Sequence, residues 1–307
     1  MGLKWIDRAD LDRSRWQQET AACETPFAYD WVLDSVCENW AVVGREEGHF
    51  LKAFAFRRKW GFSWVYQPFF VRLIEPIQEP TAAEWRAIYR LLDSRTRYWH
   101  FQTSSTAAPE AVPGIAVHMR QYQQLSLGST HEENRARYSQ NAKRILKSNK
   151  AESLVIRDLS AEEFLSFFRK HTQSKIGDLR ELDIGRLRQL ILTSLQRGRG
   201  MVTGCFDGNE LLACGYFLES DQRAVYIKGS TSAEGQQKGA MYVLMDHALA
   251  TYTGRKSVFD FGGSSIESIA DFFKKFGATD HTYYRVERQP SFFVSFARWL
   301  YHHLSGK

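Results

Sequence analysis

Residues 223–277, RAVYIKGSTSAEGQQKGAMYVLMDHALATYTGRKSVFDFGGSSIESIADFFKKFG, set the architecture of this chain. RAVYIKGST (223–231) is rich in β-branched and aromatic residues and predicts a strand. After a Gly-containing stretch, the apolar spacing predicts a helix over 240–253. SVFDFGG (257–263) predicts a strand ending in glycines, and SIESIADFFKKFG predicts a helix whose last residue, Gly277, suits a left-handed cap. Between the first strand and the first helix stand Gln236, Gln237, Lys238, Gly239 and Ala240. A helix start leaves backbone N–H groups without intrahelical acceptors, and the helix dipole adds positive potential, so it attracts phosphate. Gly239 would let the backbone approach an anion and Lys238 would add charge. The plainer alternative is a strand-to-helix turn that needs a glycine.

The pattern continues outward. LVIRDL (154–159) predicts a strand, and Ser160 with Glu163 makes a capping box before AEEFLSFFRKHT. A helix follows over about 184–197, then a hairpin turning at Asp207-Gly208-Asn209, and HTYYRVER (281–288) closes the half as a strand. The first half has the same order. Helices are predicted over 9–22 and 28–38, strands at 40–44, 49–59 and 62–67, a helix at 81–94 capped by Thr81 and Glu84, and strands at 98–102 and 116–127. One element order used twice argues for two copies of one α/β unit. Between them, HEENRARYSQNAKRILKSNK (131–150) carries six basic residues against Glu132 and Glu133. Read as one connecting helix, it places Arg137, Arg144 and Lys147 on roughly one face, a candidate surface for an anionic acceptor.

Composition narrows the function classes. The 307 residues are 43% hydrophobic and 25% charged, which excludes a disordered chain and suits two domains. No run approaches the roughly 20 apolar residues of a membrane span, and the N-terminus has no signal-peptide core, so a cytoplasmic protein without stable membrane insertion is expected. Cys23, Cys37, Cys205 and Cys214 form no CxxC pair, so no metal site is expected; Cys205 and Cys214 are expected to face each other across the hairpin. The net charge of +6 favours anionic partners without naming one. The amphipathic segment SFFVSFARWLYHHLSGK is expected to pack back on the body.

The second half resembles a GNAT-superfamily acyltransferase domain, whose acyl-coenzyme A diphosphate rests on a loop of form Gln/Arg-x-x-Gly-x-Gly/Ala. Gln236 and Gly239 match, while Met241 takes the last small-residue place. Through AYDWVLDSVCENW (28–40), RRKWGFSWVYQPFF (57–70), YSQNAKRILK (138–147) and FDFGGSSIESIADFFKKFGA (259–278), the whole chain is similar to Fem-type tandem-GNAT proteins, in a FemAB-like or cellulose-biosynthesis-type branch. The resemblance implies an α/β fold with mixed sheets and two tandem GNAT-like domains. The first (1–128, completed by 290–307) would be degenerate, 129–152 would be the basic connecting helix, and 153–289 would bind the acyl donor. It implies transfer of an acyl group, acetyl in the simplest case, from acyl-CoA to an amine or hydroxyl of a polar acceptor between the domains. Two alternatives remain: a Fem-type ligase drawing on aminoacyl-tRNA and acting on cell-wall precursor, and a silent binding protein of the same fold. The stretch QPFFVRLIEPIQEPT (67–81) agrees with a degenerate first half, since prolines stand where backbone donors would be needed.

The catalytic positions of both families fall on Phe273, whose ring can neither donate a proton nor pair with phosphate. The substitutes are Asp260, as a general base if burial raises its pKa, and Tyr284 on the last strand, where Tyr283 and Tyr284 point to opposite faces. Gly262, Gly263 and Ser264 form a turn before a helix, a second candidate anion cradle. His247 reads as a structural histidine, and Lys274 with Lys275 as a solvated face.

Overall fold

The computed structural model describes residues 2–46, 48–59, 61–104, 109–172, 176, 179–263 and 266–289. Ser264 and the whole of 290–307 lie outside the described residues. The first half runs β1 (Leu3–Asp7), α1 (Arg13–Thr20), α2 (Asp30–Val36), β2 (Asn39–Arg45), β3 (Phe50–Lys59), β4 (Phe62–Val65), α3 (Ala82–Arg95), β5 (Tyr98–Thr103) and β6 (Ile115–Ser126). A linker of α4 (His131–Ala136), α5 (Gln140–Leu146) and α6 (Asn149–Glu152) follows. The second half runs β7 (Leu154–Asp158), α7 (Ala161–His171), α8 (Glu181–Gln196), β8 (Gly200–Asp207), β9 (Glu210–Glu219), β10 (Arg223–Thr231), α9 (Ala233–Lys238), α10 (Ala240–Tyr252), β11 (Val258–Asp260), α11 (Glu267–Lys274) and β12 (Thr279–Arg288).

The repeated order is present, and the capping boxes at Thr81–Glu84 and Ser160–Glu163 start α3 and α7 as the sequence indicates. The strand β1 is not legible in the sequence: LKWID is short and mixes charge with apolar residues, and it is placed by antiparallel pairing with β2 and by Trp5 packing on Phe54 and Phe56. Nor is the basic segment one helix. Ser139 caps α5 by accepting from the Ala142 amide, and the chain bends at each cap, so Arg137, Arg144 and Lys147 share no continuous face. Arg137 instead braces the linker, donating to the Ser126 carbonyl at 2.8 Å and to the Asn134 side chain.

All twelve strands form one sheet, in the order β1-β2-β3-β4-β5-β12-β6-β11-β10-β9-β8-β7. The last strand of each half crosses over: β6 pairs with β11 of the second half, and β12 pairs with β5 of the first. β6 and β12 then pair with each other along ten residues, from Thr279↔Gln124 to Arg288↔Ile115. The two units are thus stitched through their closing strands, and the domain boundary near residue 128 is crossed by the sheet itself.

Three apolar cores follow from this. One lies on a single face of the sheet and joins both halves, with Trp16, Phe27, Leu33 and Trp40 from the first packed with Phe164, Leu187 and Tyr216 from the second. The others belong to one half each: α3 covers β2, β3 and β5, while α10 and α11 cover β9, β10 and β11. Cys214 faces the shared core and Cys205 the α10 side, with Cys214 paired in register to Gly204. The two thiols therefore do not face each other, because adjacent register positions point to opposite faces of a strand.

Candidate functional site

The parallel strands β10 and β11 stay together for three residues, Arg223↔Val258, Ala224↔Phe259 and Val225↔Asp260. β10 then continues to Thr231 while the other chain turns away through Phe261, Gly262 and Gly263. A bulge between Tyr226 and Lys228 bends β10 at the point of divergence. The result is a free strand edge: among the described residues no strand pairs with β10 past Val225 on that side. Gly262 is required here, since it has φ +80° and a Cβ would collide with the Tyr226 carbonyl.

Beyond the free edge comes α10. Its cap is Gly239, at φ +74° and ψ 25°, and no side chain caps the helix or puts an acid in its first turn. This is the arrangement that leaves first-turn amides open to an anion. The first half offers the opposite case at the equivalent element. Thr81 and Glu84 satisfy the head of α3 with their own oxygens, and Arg45 pairs with the same Glu84 carboxylate at 2.6 Å. The gap between β4 and β5, parallel only at Trp64↔Tyr98 and Val65↔Trp99, is likewise filled from within. The Gln67 carboxamide sits there, accepting from the Gln102 amide at 2.9 Å and donating to the Val71 carbonyl at 2.8 Å. The first half is degenerate because its own residues occupy both places.

The 236–240 stretch departs from the expected loop. Residues 233–238 form α9, started by Ser232, whose hydroxyl accepts from the Gly235 amide at 3.0 Å. Gln236 and Gln237 are exposed, and the Ala240 methyl is buried in the second-half core. Lys238 is paired with Asp207 at 2.6 Å and Glu234 at 2.5 Å, so its charge is spent within the fold. Gly239 is buried, and a Cβ on it would lie 2.6 Å from Ile145 Cγ2 of α5. The linker therefore borders the head of α10. Arg144 and Lys147, the exposed neighbours of Ile145, lie on that linker, with Arg144 bonded to Asn141 at 3.0 Å.

On the other side of the divergence lies a cleft of about 650 Å³ between the halves. Its floor is one face of the sheet. Val225 is opposite Asp260, Asp260 opposite Gln124, and alternation from Gln124 puts Tyr122, Tyr283, Arg285 and Gln102 on that same face. Arg72 arrives from the first half and lies over Tyr122, 4.0 Å from guanidinium carbon to ring centre. It pairs with Asp260 through both nitrogens and both oxygens at 2.6 Å, with both side chains nearly inaccessible to solvent. Arg223 reaches the same carboxylate at 3.4 Å and also pairs with Glu24.

This geometry corrects the role expected of Asp260. Burial pushes its carboxyl up, but Arg72, Arg223 and the Gly262 amide outweigh burial and hold it below the ordinary value. A carboxylate fixed by two guanidiniums does not take a proton from an acceptor; Asp260 is an interdomain clamp. Tyr284 is corrected as well. It stands opposite Thr103 and Met119 and packs against the first-half core, whereas Tyr283 lines the cleft and lies 6.1 Å from the Tyr122 ring. Gly262 and Gly263 do line the cleft; Ser264 is outside the described residues. Phe273 is a core residue, packed edge-on to Tyr226 and beside Phe261.

Sequence reading missed His100 and Lys228. The Gln67 amide donates to His100 Nε2 at 3.3 Å, so the neutral ring carries its hydrogen on Nδ1, an atom that is buried without a partner among the described residues. Burial and then the nearby Arg285 push the His100 pKa down to about 4, so the neutral form holds at physiological pH. No local pattern marked it, because its role depends on Gln67, in the segment that follows β4. Among the described residues no cluster of His, Cys, Asp and Glu is arranged to hold a metal ion, and no helix is long and apolar enough to cross a membrane.

A free edge between parallel strands β10 and β11, leading to an uncapped helix head, defines an acyltransferase-type α/β domain. Residues 132–281 match the family model described as the acetyltransferase (GNAT) domain. Residues 132–281 are thus a GNAT-type domain, and the chain as a whole shares the fold of tandem, Fem-like proteins. The crystal structure of FemX is similar over 93% of this chain and 97% of its own, at 10% identity and a TM-score of 0.62. A tandem GNAT protein from the clavulanic acid biosynthesis pathway, solved without AcCoA, is similar over 94% and 100%, at 14% identity and 0.52. The C-terminal domain of a putative lysylphosphatidylglycerol synthetase from Agrobacterium fabrum is similar over 91% and 92%, at 10% identity and 0.53. At these identities the likeness is one of fold. No curated protein matches the sequence.

Proposed function

We propose that the chain transfers an acyl group, most simply acetyl, from acyl-CoA to an amine or hydroxyl of a polar acceptor held in the cleft between its halves. The observation that carries this reading is the divergence of β10 from β11 beside a helix head with no side-chain cap. The Ala240 and Met241 amides would meet the diphosphate, and Arg144 and Lys147, on the linker bordering that head, would add positive charge. The free edge of β10 would take the pantetheine arm as a substitute strand. Acyl-CoA bound there supplies an activated carbonyl as a thioester.

The protein's own contribution is position and polarity. Backbone N–H groups of β10 beyond Val225 are available to a developing oxyanion. Tyr283 offers a ring face to the acceptor, and the neutral His100 ring forms part of the cleft wall. Positioning of two reactants supplies a large share of the rate in direct transfer. A thiolate is a far better leaving group than an alkoxide or amide anion, so the place of Phe273 in the core is compatible with transfer.

The test is thermal unfolding with acetyl-CoA and, separately, with aminoacyl-tRNA. A ligand that binds only the folded state raises Tm by mass action, by about 2.7 kcal/mol of stability at a hundred times its Kd. A rise with acetyl-CoA supports this reading, and a rise with tRNA alone turns it toward a Fem-type ligase. No rise with either leaves a binding protein of the same fold.

A further inference from the structure

We propose that Lys228 is a self-acylation site, its ε-amine taking the acyl group from a thioester held at the free edge of β10. The proposal rests on the donor reading above. Lys228 stands directly after the bulge and opposite Tyr216 of β9, whose ring faces the shared core, so it lies on the cleft side of the sheet. The residue before it, Ile227, lines the cleft. Lys228 is half-buried, and among the described residues no carboxylate, carbonyl or ring pairs with its amine.

That isolation sets it apart from the other buried cations. Lys52 is bonded to the Ile74 carbonyl, Arg72 and Arg223 share Asp260, and Lys256 meets Glu219 at 3.1 Å. Desolvating an ammonium without a counter-charge is costly, which favours the neutral amine. Burial alone lowers the Lys228 pKa, and the neutral amine is the nucleophilic form. A thioester lying along the edge opened after Val225 would pass residues 226–229, with Lys228 among them.

In the step, the Nζ lone pair attacks the thioester carbonyl carbon and an N–C bond forms. The C–S bond breaks, sulfur leaves with its electron pair as coenzyme A thiolate, and one proton passes from nitrogen to solvent or to that thiolate. The product is an N-acyl-lysine amide, uncharged and stable, which replaces the basic amine on the cleft side of the sheet.

The full-length protein is incubated with acetyl-CoA, and acetyl-lysine is mapped by mass spectrometry after digestion, with exposed Lys4 of β1 as internal reference. Acetyl phosphate, which acetylates lysines without a coenzyme A site, serves as the unpositioned donor. Lys228 is expected to acetylate about a hundredfold or more faster than Lys4 with acetyl-CoA, because the donor is held beside it. Excess coenzyme A suppresses that preference, acetyl phosphate does not reproduce it, and K228R removes the adduct while keeping the charge. Equal rates at Lys228 and Lys4, with Tm still raised by acetyl-CoA, overturn the proposal and leave the donor reading intact. An equal preference with acetyl phosphate also overturns it. No Tm rise and no adduct remove both.

Discussion

The guanidinium of Arg72 and the carboxylate of Asp260 meet end to end across the two halves, Nη1 on Oδ1 and Nη2 on Oδ2, each at 2.6 Å. They are 188 residues apart in the chain, and both are almost wholly removed from water. Breaking such a pair leaves a lone buried charge, whereas the pair itself nets little over an apolar substitute. The pair therefore fixes one arrangement of the cleft more than it adds stability.

Removing either partner is expected to cost about 3–5 kcal/mol, as with other buried pairs. In denaturant melts R72M and D260N should each lose stability, and the double variant should recover part of the loss. Simple additivity would show that the two side chains do not depend on each other. The pH sign follows from proton binding. Asp260 has a folded pKa below its unfolded value of 3.8, so its contribution is full above that value and is lost as pH falls below it. D260N should flatten the wild-type acid limb in that range.

Lys52 predicts the reverse slope. Burial pushes its pKa down from 10.5 to about 7, while its amine donates to the carbonyls of Ile74 and, at 3.4 Å, Gln102. Between those two values the unfolded chain binds more protons than the folded one, so stability rises with pH from about 7 to about 10.5. K52M should abolish that rise. A K52M curve parallel to wild type over the window would mean the lysine is already charged in the fold.

His100 gives a third titration. With its pKa pushed down to about 4, it should stay neutral at pH 6, where an ordinary histidine with a pKa of 6.5 is mostly protonated. Stability should therefore fall as pH drops from about 6.5 toward 4, and H100N should remove that part of the fall while keeping a donor near Nδ1. NMR titration of the ring checks the value directly, and a midpoint near 6.5 would contradict the buried neutral tautomer.

Gly239 holds a left-handed backbone against Ile145. G239A should lose about 1–2 kcal/mol from the conformation, with more from the 2.6 Å approach to Ile145 Cγ2. It should also diminish the Tm rise produced by acetyl-CoA. An undiminished rise would place the diphosphate away from the head of α10.

Tyr283 and Tyr284 separate function from packing. Y284A should destabilise by about 3–5 kcal/mol as a core truncation, discounted for its partial exposure, with little effect on ligand response beyond that loss. Y283A should leave stability within about 1 kcal/mol, as for most substitutions outside a core, yet reduce turnover once an acceptor is found. The opposite pattern in melts and turnover would return Tyr284 to the cleft.

The sequence by itself determined most of the elements and their repeated order, though not β1, α9 or the breaks in the basic linker, because apolar periodicity, the capping boxes at Thr81 and Ser160 and the glycines at 239 and 277 act over a few residues. It also determined that the head of α3 is closed, since a cap by Thr81 and Glu84 is written locally. Tertiary structure alone decided the cleft. The exchange of β6 and β12 sets which face Tyr283 takes, and pairing with Arg72 turns Asp260 from a candidate base into a clamp. The lack of a partner among the described residues marks Lys228, and Gln67 fixes the tautomer of His100. Each of these depends on charge, burial or a hydrogen bond between residues far apart in the chain. A local pattern carries none of those, because the field and the solvent at a side chain are set by whatever the fold brings beside it.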